Sequence, residues 1–115
     1  MNKEKLIAAG IDYEEGLNRF AGSVAIYEKF LRKFVEDDTF TKLEEAMSKK
    51  DYATGFLMAH TAKGVAGNMS VNRYFKSISA LTEELRNNPT DKAIELFEIA
   101  KRDYLEAVAA IKGND

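Results

Sequence analysis

Ala59-His60-Thr61-Ala62-Lys63-Gly64-Val65-Ala66-Gly67-Asn68-Met69-Ser70 is the stretch whose reading decides the fold. It holds the only histidine of the chain and two of its seven glycines. From Tyr52 to Ala59 the residues are mostly aromatic, apolar or small, with no proline, so a helix is expected to run into the stretch from its N-terminal side. Each helical residue turns about 100° around the axis. On that count Lys63, Gly64 and Gly67, at i+3, i+4 and i+7, share the stripe of His60. Met58, Ala62, Val65 and Met69 fall on the opposite side, spaced 4, 3 and 4 as in a core-facing stripe. The expectation is an apolar face turned inward. The outward face would carry an imidazole, an ammonium and bare backbone.

That outward face needs a reason. A glycine inside a helix costs about 1 kcal/mol relative to alanine, and two cost about twice that. A solvated face with no other duty would carry Ala, Glu or Lys. Here the glycines remove side chains from the turns after His60, so the surface beside the imidazole is low and open. Lys63 would meet negative charge on anything that approached. An ordinary surface histidine is the plainer reading. Close helix–helix contact is another reading of the glycines, though Lys63 between them fits it badly. A metal site is poorly supplied: there is no cysteine and no second histidine, and neither Asp51 nor Asp91 stands at a helical ligand spacing from His60. A nucleophilic triad lacks its parts, because Thr61 is about a quarter-turn away.

The residues Ala59-His60-Thr61, Lys63-Gly64 and Gly67-Asn68, at these spacings, resemble the signature of histidine phosphotransfer (HPt) domains. These are the relay modules of multistep two-component signalling. Gly10-Ile11-Asp12-Tyr13-Glu14-Glu15-Gly16-Leu17-Asn18-Arg19-Phe20 resembles the family's lead-in, and Asp51-Tyr52 its approach to the histidine helix. The likeness extends from Gly10 to Ile111. Two positions depart from it: Ala62 stands where leucine is frequent, and Ser70 where glycine is common.

The resemblance implies that His60 is the phosphorylated nucleophile, carrying the phosphoryl group on Nε2, with Lys63 stabilising the phosphoryl oxygens. Gly64, Gly67 and Asn68 would let a partner approach. That partner would be the receiver domain of a response regulator, which brings its own Mg²⁺ and aspartate; a sensor or hybrid histidine kinase would stand upstream. The chain itself would have no cofactor and no kinase activity, and would be a monomer. Ala53, Phe56 and Leu57 lie within about 60° of the His60 stripe. They are candidates for a docking rim, or, for the apolar pair, for packing under the short N-terminal helices.

The remainder of the chain sets the frame. At 115 residues it has the size of one domain, taken as residues 1–115. One proline and 3.6-residue patterns throughout argue an all-α fold. Helices are expected over Lys3–Ala9, Tyr13–Phe20 behind an Asp12/Glu15 capping box, and Ser23–Asp37 with inward Val24, Tyr27, Leu31 and Phe34. A shorter piece carrying Phe40, Leu43 and Met47 follows and ends near Lys49-Lys50, then Tyr52–Met69 capped by Asp51. A further helix carries Val71, Tyr74, Ile78, Leu81 and Leu85. The last begins at Thr90 or Asp91, with Ala93, Ile94, Phe97, Ala100, Tyr104, Val108 and Ile111 inward and a frayed tail over Lys112-Gly113-Asn114-Asp115. Four substantial amphipathic helices with short links imply an antiparallel up-and-down four-helix bundle with short extra N-terminal helices.

Composition excludes several functions. With 17 basic and 19 acidic residues there is no positive field for nucleic acid. No apolar run reaches the ~20 residues of a membrane helix. The N-terminal residues lack a signal-peptide profile, and without cysteine no disulfide forms, so a cytoplasmic location is expected. No P-loop or kinase glycine loop is present. Three rivals stay open: a non-catalytic interaction module of the same fold, the phosphoacceptor domain of a larger histidine kinase, and a metal–carboxylate bundle. The last should show Glu-x-x-His pairs, whereas Leu57 stands three residues before His60.

Overall fold

The computed structural model describes residues 1–113, and every regular element among them is an α-helix. In chain order they are α1 (Lys3–Ala8), α2 (Tyr13–Arg19), α3 (Val24–Glu36), α4 (Thr39–Ser48), α5 (Tyr52–Asn68), α6 (Asn72–Arg86) and α7 (Lys92–Lys112). Asn114 and Asp115, the end of the expected tail, lie outside the described residues.

Short polar side chains start four of these helices by accepting an otherwise unpaired backbone N–H. Asn2 accepts from Lys5, Asp12 from Glu15, Ser23 from Ile26 and Asp51 from Thr54, at 3.0 to 3.2 Å. Such a cap is worth about 1 kcal/mol. The expected capping box at α2 closes on one side only. Glu15 does not return to the Asp12 N–H, which instead donates to the Ser70 carbonyl at 2.9 Å.

The helix ends follow one pattern. At the ends of α1, α2, α4 and α5 a backbone N–H turns back to a carbonyl of the last turn: Ile11 to Leu6, Gly22 to Leu17, Asp51 to Ala46 and Val71 to Ala66. This Schellman closure needs a left-handed residue just before the donor. Only α1 uses glycine for it; the other three use Ala21, Lys50 and Ser70, with φ of 54°, 57° and 58°. That explains the departure at Ser70. A conformation that favours glycine is occupied there by a residue whose side chain has other work.

α5 lies between α4 and α6, α6 also packs on α7, and α7 reaches α3 and α1. The inter-helix space is filled largely by rings. Phe40 stacks on Tyr104 at 4.1 Å and on Phe97 at 5.8 Å, and Phe34 meets Tyr74 edge-on at 6.0 Å. Tyr27, Leu31, Leu43, Ile78 and Leu81 are fully buried.

Two expected core residues are not in the core. Val24 and Ile94 are exposed. Both sit in the first turn of their helix, and large-residue packing begins one turn later, at Tyr27 and Phe97. In α7 the buried line is Ala93, Phe97, Ala100, Asp103, Ala107, Ala110 and Ile111, with Tyr104 and Val108 only half-buried beside it. No helix among the described residues is long and apolar enough to cross a membrane.

Candidate functional site

The face that α5 buries is not the one its larger residues suggest. Gly55, Ala59, Ala62 and Ala66 are buried, while Met58, Val65 and Met69 are half-buried. The two stripes share Ala62 and the same spacing, so the inward direction is rotated by about 60° from the expected one. The cause is that α5 has a neighbour on both flanks. Small side chains let α4 and α6 approach together, and the neighbours supply the bulk. At Gly55 an added Cβ would already be 3.6 Å from both Leu85 and Met47.

The rotation decides the site. His60 is exposed, and a Cβ on Gly64 would meet nothing within 4 Å. Lys63 and Gly67 are turned towards α6 and are half-buried. A Cβ on Gly67 would stand 3.0 Å from the Phe75 ring. The two glycines therefore differ: Gly64 leaves open space beside the imidazole, whereas Gly67 makes room for an aromatic ring of α6. Both readings of the glycine pair apply, one to each residue.

An open groove of about 340 Å³ results, lined by Arg19, His60, Lys63, Gly64, Gly67, Asn68 and Phe75. At the other end of the histidine, the half-buried Phe56 has its ring centre 6.0 Å from the imidazole. The Arg86 guanidinium lies 5.2 Å over that ring, a cation–π contact, and is paired with Glu83 at 3.0 Å. Ala53 and Asn68 are exposed. Leu57 is 59% exposed rather than tucked under the N-terminal helices. Thr61 donates its hydroxyl to the Leu57 carbonyl at 2.9 Å, so it is tied to its own helix. Glu83 is held below the usual carboxylate range, first by its hydrogen bond from Arg86 and also by the charge of Lys63. No group of three or more His, Asp or Glu side chains among the described residues is arranged to hold a metal ion.

Sequence reasoning missed Arg19. Its arrival at the groove depends on how α2 seats over the C-terminal end of α5. Gly16 packs so closely on the Tyr27 ring that any side chain there would collide with it. Tyr27 donates its hydroxyl to the Met69 carbonyl at 2.7 Å, and burial pushes the phenol well above its usual pKa. Ser70 is fully buried next door. Its hydroxyl donates to Glu15 Oε1 at 2.7 Å and accepts from Arg19 Nε at 3.0 Å. Asn72 adds a longer contact to the same carboxylate oxygen at 3.4 Å. The Ser70 hydrogen bond is the main reason the Glu15 carboxyl lies below its usual range. Glu15 and Arg19 stand four apart on α2, a spacing readable as an ion pair. Nothing in the sequence says that this pair caps another helix.

Comparisons with known protein families, with curated proteins and with solved structures find no match to this chain.

Proposed function

We propose that the protein is a phosphoryl carrier in which His60 accepts a phosphoryl group from the aspartyl phosphate of a receiver domain, or from a kinase, and passes it to another receiver aspartate. The observation that carries this reading is the exposed imidazole beside Gly64, where the helix surface has no side chain and another protein can reach the ring. The likeness of Ala59 to Asn68 to the HPt signature supports the same assignment. So does the packing: the broken arm α3–α4, together with α5, α6 and α7, is compatible with an antiparallel four-helix bundle, with α1 and α2 as the short extra helices.

The chemistry asks little of the carrier. Neutral imidazole with its proton on Nδ1 attacks phosphorus through the Nε2 lone pair. The phosphorus–oxygen bond to the aspartate breaks, and its electron pair leaves on the carboxylate. The product is an Nε2-phosphoimidazolium that keeps the Nδ1 proton, and transfer to the next aspartate reverses these changes. Catalysis of such a step is mainly positioning and charge neutralisation. Lys63 provides charge beside the ring; the receiver supplies Mg²⁺ and the acceptor carboxylate. Ala53 and Leu57, both exposed, and the half-buried Phe56 extend this surface along α5 and form the docking rim, a small transient interface being sufficient.

The test is label transfer from Mg²⁺-loaded, phosphorylated receiver domains. The wild-type chain is expected to take label, and His60→Gln none, with an unchanged melting midpoint because the ring is exposed. Equal labelling of the two would refute the assignment. A wild-type chain that binds receivers without taking label would favour the non-catalytic interaction module.

A further inference from the structure

We infer that Arg19, delivered by α2 from outside the histidine helix, is a second anion-binding residue of the groove and holds oxygens of the phosphoryl group carried by His60. This rests on the phosphoryl-carrier reading and extends it to a residue that the Ala59–Ser70 stretch does not contain. The first support is placement. Arg19 lines the same groove as His60, Lys63 and Gly64.

The second support is how the side chain is held. Its Nε donates to the fully buried Ser70 hydroxyl at 3.0 Å. Ser70 is in turn fixed by its own bond to Glu15 and by the closure of α5. The Arg19 side chain is thus anchored at one nitrogen. Its Nη2 is 3.7 Å from Glu15 Oε1, beyond hydrogen-bond reach. Among the described residues the terminal NH₂ groups donate no hydrogen bond to protein, so the fork retains its donors for a ligand in the groove. Glu15 Oε1 accepts instead from Ser70 and Asn72, so its charge stays paired with Arg19 at 3.7 Å while the terminal Arg19 donors remain unused.

The third support is charge. A protein-bound phosphoryl group carries about two negative charges near neutral pH. Lys63 offers one positive charge from its own helix. A guanidinium adds a second and grips two phosphoryl oxygens at once, which an ammonium cannot do. Fixing it in advance through Ser70 removes the cost of ordering a long side chain at the moment of transfer.

Two measurements test this on the intact chain. Inorganic phosphate titrated into ¹⁵N-labelled protein is expected to move the amide signals of Gly64, Gly67 and Asn68. The apparent dissociation constant should rise several-fold in Arg19→Met and less in Arg19→Lys. In transfer from a phosphorylated receiver, Arg19→Met should lower the saturating rate by about tenfold while the half-saturating receiver concentration stays within about twofold. Arg19→Lys should fall between. Should Arg19→Met melt early, the Arg19→Lys comparison carries the test, because that variant keeps the charge and loses the fork. Unchanged phosphate affinity and transfer rate in both variants would overturn the role of Arg19 while leaving His60 as carrier. Arg19-dependent phosphate binding in a wild-type chain that takes no label would do the opposite: the anion site stands and the relay falls.

Discussion

α6 buries Tyr74, Ile78, Leu81 and Leu85; α5 buries Gly55, Ala59, Ala62 and Ala66. The two spacings are identical and the materials are opposite. α6 contributes volume to the core, and its large residues announce which way it faces. α5 is gripped by α4 and α6, and what it contributes is the absence of volume, so that both neighbours can close on it. A helix held in this way has its orientation fixed by others. Its outer face is left open, and here it carries an imidazole beside bare backbone.

The contrast can be broken from either side. The largest effect is expected at Leu81→Ala, which leaves a cavity in the fully buried face of α6 and should cost about 2–5 kcal/mol in urea unfolding. Ala66→Leu tests the opposite principle, since it forces volume into a contact made for a methyl group. It should cost about 1–3 kcal/mol, and a neutral outcome would mean that α5 is not tightly gripped. The glycines then separate the outer face into its halves. Gly64→Ala, with open space around its new methyl, should stabilise by up to about 1 kcal/mol. Gly67→Ala should gain less or lose, because that methyl would press on Phe75. Equal gains at both positions would contradict the division between them.

The smallest effect concerns the cap over the end of α5. Glu15 has its carboxyl pKa lowered from the ordinary 4.5 by the Ser70 hydrogen bond. A depressed carboxyl stabilises the fold at pH values above its unfolded pKa. That contribution disappears as the pH falls through the folded one. The gap in urea midpoint between the wild type and Glu15→Gln should therefore be widest near neutral pH and close in acid. A gap that widens in acid would have the wrong sign.

Much of the frame was legible because its signals are local. Asp12, Ser23 and Asp51 cap the helices expected of them, and the helices fall within a residue or so of their expected bounds at most ends. The apolar line of α6 reads directly from Tyr74 to Leu85. His60, Lys63 and Gly64 were gathered into one surface by helix geometry alone. What failed was the choice between two stripes of equal spacing in α5. Hydrophobicity favoured Met58, Val65 and Met69, whereas close approach favoured the small residues. Gly55, Ala59, Ala62 and Ala66 are themselves the signal, but it can be read only when two flanking helices are already assumed. Arg19 lay out of reach for a different reason: it joins the site through Gly16, Tyr27 and Ser70, contacts between segments far apart in the chain.

The clasp around Ser70 has a consequence for motion. Helix termini ordinarily fray on their own, but the two carbonyls just past α5, those of Met69 and Ser70, are held by the Tyr27 hydroxyl and by the Asp12 amide, both from other parts of the chain. Slow hydrogen exchange at the Asp12 amide would thus report the undocking of the N-terminal segment from the end of α5, not the loosening of a helix tip. The rim of the histidine's surroundings inherits its rigidity from a segment more than forty residues upstream.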